Sequence, residues 1–99
     1  GVAKAGLERG PYQGYFYRIL TRQGKNAQGG AYSYVAHGKM IGGFAVLAYP
    51  ARHAYSGVKT FMVSQDGEVF EKDLGPNTRA LAQRIQSLDP DLSWTKLPR

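Results

Sequence analysis

Thr60-Phe61-Met62-Val63-Ser64-Gln65-Asp66-Gly67-Glu68-Val69-Phe70-Glu71-Lys72-Asp73-Leu74-Gly75 reads as a β-hairpin. Two runs rich in Val and Phe flank Asp66-Gly67, a pair that tolerates the positive φ of a tight turn. The pattern predicts strands over Lys59–Ser64 and Glu68–Lys72. Upstream, Gly42-Gly43 precedes a further strand over Phe44–Tyr49, and Pro50 ends it because proline cannot donate to a ladder. An antiparallel sheet is the scaffold that these stretches dictate.

Further toward the N-terminus, Tyr15-Phe16-Tyr17-Arg18-Ile19-Leu20-Thr21 is dominated by aromatic and β-branched residues, which predicts a strand over Gly14–Arg22. Alternation puts Tyr15, Tyr17, Ile19 and Thr21 on one face, and Phe16, Arg18 and Leu20 on the other. Neither face is purely polar, so partial cover on both is expected. Gln23–Gly30 is polar and glycine-rich, a mobile loop by composition. Tyr32–Val35 is a short extended piece that His37-Gly38-Lys39 turns toward Met40-Ile41. Ala51–Gly57 is a second loop, carrying Arg52, His53, Tyr55 and Ser56.

After Gly75-Pro76-Asn77 the period changes. Leu81, Ile85 and Leu88 recur at helical spacing, which predicts a helix over Thr78–Leu88, capped by Asn77 or Thr78 and stopped by Asp89-Pro90. Trp94 falls in an extended tail expected to dock on the domain. The fold class is therefore α+β: a single small domain, an antiparallel sheet of about four to five strands with one C-terminal helix.

At 99 residues the chain has room for one modest core, expected over residues 11–99 after a flexible, glycine-punctuated leader at 1–10. A hydrophobic fraction of 42% argues against wholesale disorder. No apolar run approaches the roughly 18 residues that a transmembrane helix needs. The first residue is Gly1 rather than Met, and no signal peptide is legible, which suggests a processed product or a fragment.

Thirteen Lys and Arg against seven Asp and Glu give a net charge of +6, an attraction for anionic partners that salt weakens. The basic residues are scattered, without a like-charged block, so the charge reads first as solubility. The absence of cysteine excludes disulfides, iron–sulfur clusters and Cys-based zinc sites.

The candidate reactive groups do not assemble into a known motif. His37 and His53 lack the close ligand spacing of a metal site, and neither a metal nor a cofactor is expected. Ser56, His53 and Asp66 or Asp73 could be drawn as a triad, yet no Gly-x-Ser-x-Gly elbow is present. Glu68, Glu71 and Asp73 read as solvent-facing charge that discourages edge pairing. Lys39 among its glycines fails the phosphate-loop pattern, because Ser33 stands where glycine is required and Met40 follows the lysine. Gly43–Tyr49 approximates an RNA-recognition strand, but Gly42 replaces the basic residue and Val46 a stacking aromatic.

Several pieces in fixed order carry a family likeness: Pro11-Tyr12-x-Gly14-Tyr15-x-Tyr17-Arg18-Ile19-Leu20-Thr21, Gly29-Gly30-Ala31-Tyr32, Met40-Ile41-Gly42-Gly43-Phe44-Ala45 and Tyr49-Pro50-Ala51-Arg52. Gly57-Val58-x-Thr60-Phe61, Asp66-Gly67-x-Val69 and Lys72-Asp73-Leu74-Gly75-Pro76-x-Thr78 complete the set. From Pro11 to Trp94 the chain resembles the C-terminal half of an exported proteobacterial family built on a domain of unknown function. That resemblance implies a periplasmic or cell-envelope location and transfers no catalytic residue. The order Gly57-x-x-Thr60-Phe61-x-Val63-x-x-x-Gly67-x-Val69 is similar, more loosely, to the sheet of type IV pilin and pseudopilin heads.

The reading that follows is a non-catalytic, extracytoplasmic structural or protein-interaction domain. Tyr15, Tyr17, Tyr32 and Tyr34, with Arg52 and His53, are the expected contact residues, since tyrosine combines broad apolar area with a polar tip. The expected partner is another protein or a preceding segment of the chain's own precursor. Two other classes stay open: single-stranded nucleic-acid binding through a basic, Tyr-rich sheet, and a small hydrolase-like enzyme using Arg52, His53 and Asp73.

Overall fold

The computed structural model of the chain describes residues 13–98. In chain order the strands are β1 (Tyr15–Leu20), β2 (Arg22–Gln23), β3 (Tyr32–Ser33), β4 (Val35–Ala36), β5 (Lys39–Met40), β6 (Ala45–Pro50), β7 (Thr60–Ser64), β8 (Val69–Lys72) and β9 (Thr95–Lys96). One helix, α1 (Thr78–Gln83), stands among the described residues. Five strands form an antiparallel sheet in the order β1-β6-β7-β8-β9, while β2 pairs with β3 and β4 with β5 in two small ribbons. The α+β expectation therefore holds only loosely, because the molecule is mostly sheet. No helix among the described residues is long and apolar enough to cross a membrane. The leader expected at 1–10 lies outside the described residues.

Register decides what is buried. Phe16 opposes Tyr49, Arg18 opposes Leu47 and Leu20 opposes Ala45, so these six share one face of the sheet. Leu47 continues to Met62, and Met62 to Phe70. On this face α1 packs over β6, and Leu20, Leu47, Met62 and Ala82 are all at most 1% exposed. Burial of each Leu or Met side chain stabilises the fold by about 1.5–3 kcal/mol.

The hairpin forms where the sequence predicts it, with a different turn. Gln65-Asp66-Gly67 is a three-residue loop: Ser64 N–H donates to Glu68 O at 2.9 Å and Gly67 N–H to Ser64 O at 2.9 Å. Only Gly67, at φ 84°, takes the left-handed conformation, and Asp66 does not. The Ser64 hydroxyl accepts from the amides of Asp66 and Glu68, at 3.2 and 3.1 Å, which fixes the loop from inside.

The helix is shorter than its periodicity suggests. It ends at Gln83 rather than Leu88, because Arg84 N–H and Ile85 N–H turn to the carbonyls three residues back, Leu81 and Ala82. Arg18 then reaches across from β1 and donates to Ile85 O at 2.6 Å and to Ala82 O at 2.7 Å, the second carbonyl being shared with Ile85 N–H. Beyond it Leu88 bridges to Gln23, and its amide donates to Arg22 O at 3.0 Å. Trp94 packs against the core as expected, and the tail after it adds β9 as a fifth strand. The Gln23–Gly30 stretch is ordered by Gln23 itself, whose amide donates to Gln28 O and Gly30 O, both at 2.7 Å.

Candidate protein-interaction face

The other face of the same sheet has no helix on it among the described residues. Tyr17 opposes Ala48, Ile19 opposes Val46, Ala48 opposes Phe61 and Val63 opposes Val69, so the alternate positions of four strands build a continuous apolar surface. Tyr17 is 57% exposed and Ile19 is 53% exposed. Tyr15, Tyr17, Ala48, Phe61, Val63 and Val69 line a shallow depression of about 320 Å³ in this surface. Along the described strands Glu71 is the charged side chain on this face, and its carboxylate lies 3.6 Å from Lys59 Nζ.

One corner of the depression is fixed rather than adaptable. The Tyr15 hydroxyl donates to Lys59 O at 3.0 Å, and its ring stands 6.1 Å from that of Phe61. Gly57 makes this approach possible, because a Cβ at that position would collide with the Tyr15 ring and hydroxyl. Burial, and then the neighbouring Tyr17, push the Tyr15 hydroxyl above the usual tyrosine range.

The loop between β6 and β7 carries the second group of candidates. His53 Nε2 and Asp73 Oδ1 are 2.7 Å apart, so the structure does bring these two residues together. Asp73 Oδ1 also accepts from Gly75 N–H at 2.8 Å, and this bond, followed by His53, holds the carboxyl below its usual range. The pair is a clasp between the loop and the exit of β8. Ser56 Oγ is engaged by the Arg52 backbone, accepting from its amide at 3.0 Å and donating to its carbonyl at 3.3 Å, which leaves the hydroxyl committed locally. Arg52 lies 4.7 Å over the Tyr55 ring. Among the described residues no group of three His, Asp or Glu side chains is close enough to hold a metal ion.

The six residues singled out from the sequence therefore separate into three places. Tyr15 and Tyr17 share the open face, while Arg52 and His53 belong to the loop clasp. Tyr32 lies on β3 in the β2–β3 ribbon, its ring 5.5 Å edge-on to that of Tyr34. Tyr34 is 1% exposed and donates its hydroxyl to Gln23 Oε1 at 2.9 Å, which makes it a core residue rather than a contact residue. Burial, then Tyr32, raises its hydroxyl above the usual range. Ile19, which alternation already places with Tyr15 and Tyr17, and Phe61, Val63 and Val69, which the sequence reading passed over, complete the open face. Their two-residue alternation in β1, β7 and β8 was the available signal.

A family model described as a protein of unknown function (DUF2950) matches residues 2–97. No curated protein and no solved structure matches the chain.

Proposed function

The chain belongs to the DUF2950 family, whose function is unknown, and within it we propose a non-catalytic protein-interaction domain that works through the open face of its sheet. The observation that carries this reading is the exposure of Tyr17 and Ile19, more than half accessible, on a surface with Tyr15, Ala48, Phe61, Val63 and Val69. Contiguous apolar area of this kind is costly to leave in water and marks a contact site. The occupant is an apolar segment of another protein, since the exposed side chains of this face are apolar. A stacking platform for nucleic acid is less well supported, because Arg18, Lys72 and Lys96 project from the covered side of the strands. The periplasmic or cell-envelope location rests on the resemblance to exported proteins, and the likeness to pilin heads rests on the residue pattern from Gly57 to Val69 alone.

The chain has no cysteine, so Ile19→Cys introduces a unique thiol for a photoactivated crosslinker. In an envelope extract it should give one discrete adduct with one protein, suppressed by excess unlabelled domain and absent from Leu92→Cys, a fully exposed control. Equal, diffuse labelling from both positions would contradict the reading. Crosslinking within the same precursor would assign the face to a preceding segment instead.

A further inference from the structure

The covered side of the sheet holds a second feature, independent of the open face. A cleft of about 360 Å³ lies between Arg22 on β2, the residues that leave α1 and Trp94, with Met62 at its base. Arg84 and Ile85 form one wall, and Asp89 part of the rim. Its size falls within the roughly 300–1,000 Å³ typical of small-molecule sites.

The charge balance of the lining is specific. Neither Arg22 nor Arg84 forms an ion pair with any described carboxylate. Asp89 is the acid of the lining, and its Oδ1 already accepts from Asn26 N–H at 2.9 Å and Asn26 Nδ2 at 3.0 Å. Two guanidiniums and one carboxylate leave the lining one charge positive. Met62, Ile85 and Trp94 supply an apolar base and a ring beside this charge.

We propose that this cleft is a binding site for a small monocarboxylate with an apolar or aromatic body. Guanidinium presents paired N–H donors that match the two oxygens of a carboxylate, which is how Arg22 and Arg84 would hold the head group. Trp94 and Ile85 take the body out of water. The periodicity of residues 78–88 hid this site, because it assigned Arg84 to a helix that in fact ends before it.

Trp94 is the one tryptophan of the chain, so its fluorescence reports on this cleft alone. The probe is 3-phenylpropionate, with neutral 3-phenylpropionamide and inorganic phosphate as separate arms. The expected result is a saturable Trp94 change with 3-phenylpropionate. Binding should weaken at least about tenfold for the amide, for Arg22→Gln and for Arg84→Gln, the loss expected for a charge-assisted hydrogen bond. An equal response to acid and amide, no saturation, or unchanged affinity in both folded variants overturns the proposal. Phosphate binding more tightly than 3-phenylpropionate also overturns it, and reassigns the cleft to phosphorylated ligands.

Discussion

Thr60 opens β7 on the covered face at 0% exposure, and its Oγ1 has no hydrogen-bond partner among the described residues. A buried hydroxyl in that state costs about 1–3 kcal/mol, because the water it leaves behind is not replaced. Thr60→Val keeps the branched shape and removes the unsatisfied oxygen, so it should raise stability by about 1 kcal/mol. Urea unfolding measures this directly; a variant less stable than the parent would show that the hydroxyl has a partner. Such residue-level facts were out of reach of the sequence. Threonine at 60 reads as a good strand former, and nothing local says that its side chain ends up dry. Likewise Tyr17 and Tyr34 are the same residue type, yet one is 57% exposed and the other 1%. The difference is set by where the surrounding segments pack.

Among the elements, the hairpin and β6 were legible because their signals are local: Asp66-Gly67 at one turn, Gly42-Gly43 and Pro50 at two strand ends. The helix was legible in kind and misjudged in length. Leu81, Ile85 and Leu88 suggested one apolar stripe, but Leu81 is 39% exposed and the buried positions of α1 are Thr78 and Ala82. Leu88 serves a bridge to Gln23 instead. β9 left no periodic trace, since two residues paired to Phe70 and Glu71 acquire their conformation from β8. From the sequence, Asp73 reads as a hydrogen-bonding residue at the strand exit, with a catalytic pairing to His53 as the other possibility; its use in clasping the β6–β7 loop onto the β8 exit makes a pH prediction. Gly75 N–H and His53 lower the Asp73 carboxyl, so its stabilisation is present above the unfolded value of about 3.9 and is lost as pH falls through the folded value. Relative to Asp73→Asn, the parent should be more stable at neutral pH, and the gap should close below about pH 4. Urea midpoints across that range are the check, and a gap independent of pH would contradict the assignment.

At the scale of the whole molecule, the sheet has two unlike sides. One carries α1, the Arg18 bridge and the carboxylate cleft; the other presents Tyr17 and Ile19 outward. Alternation in β1 separated the two sets of residues correctly, but only the packing of α1 over β6 determined which set would be covered. Ile19 and Leu20 are neighbours in the chain and lie on opposite sides, at 53% and 1% exposure. Comparing the unfolding free energies of Ile19→Glu and Leu20→Glu tests this division most directly. The structure predicts a change within about 0.5 kcal/mol for the first and a loss of several kcal/mol, or failure to fold, for the second. Comparable losses for both would mean that the outer face is buried in the folded chain, and the interaction surface would not exist as described.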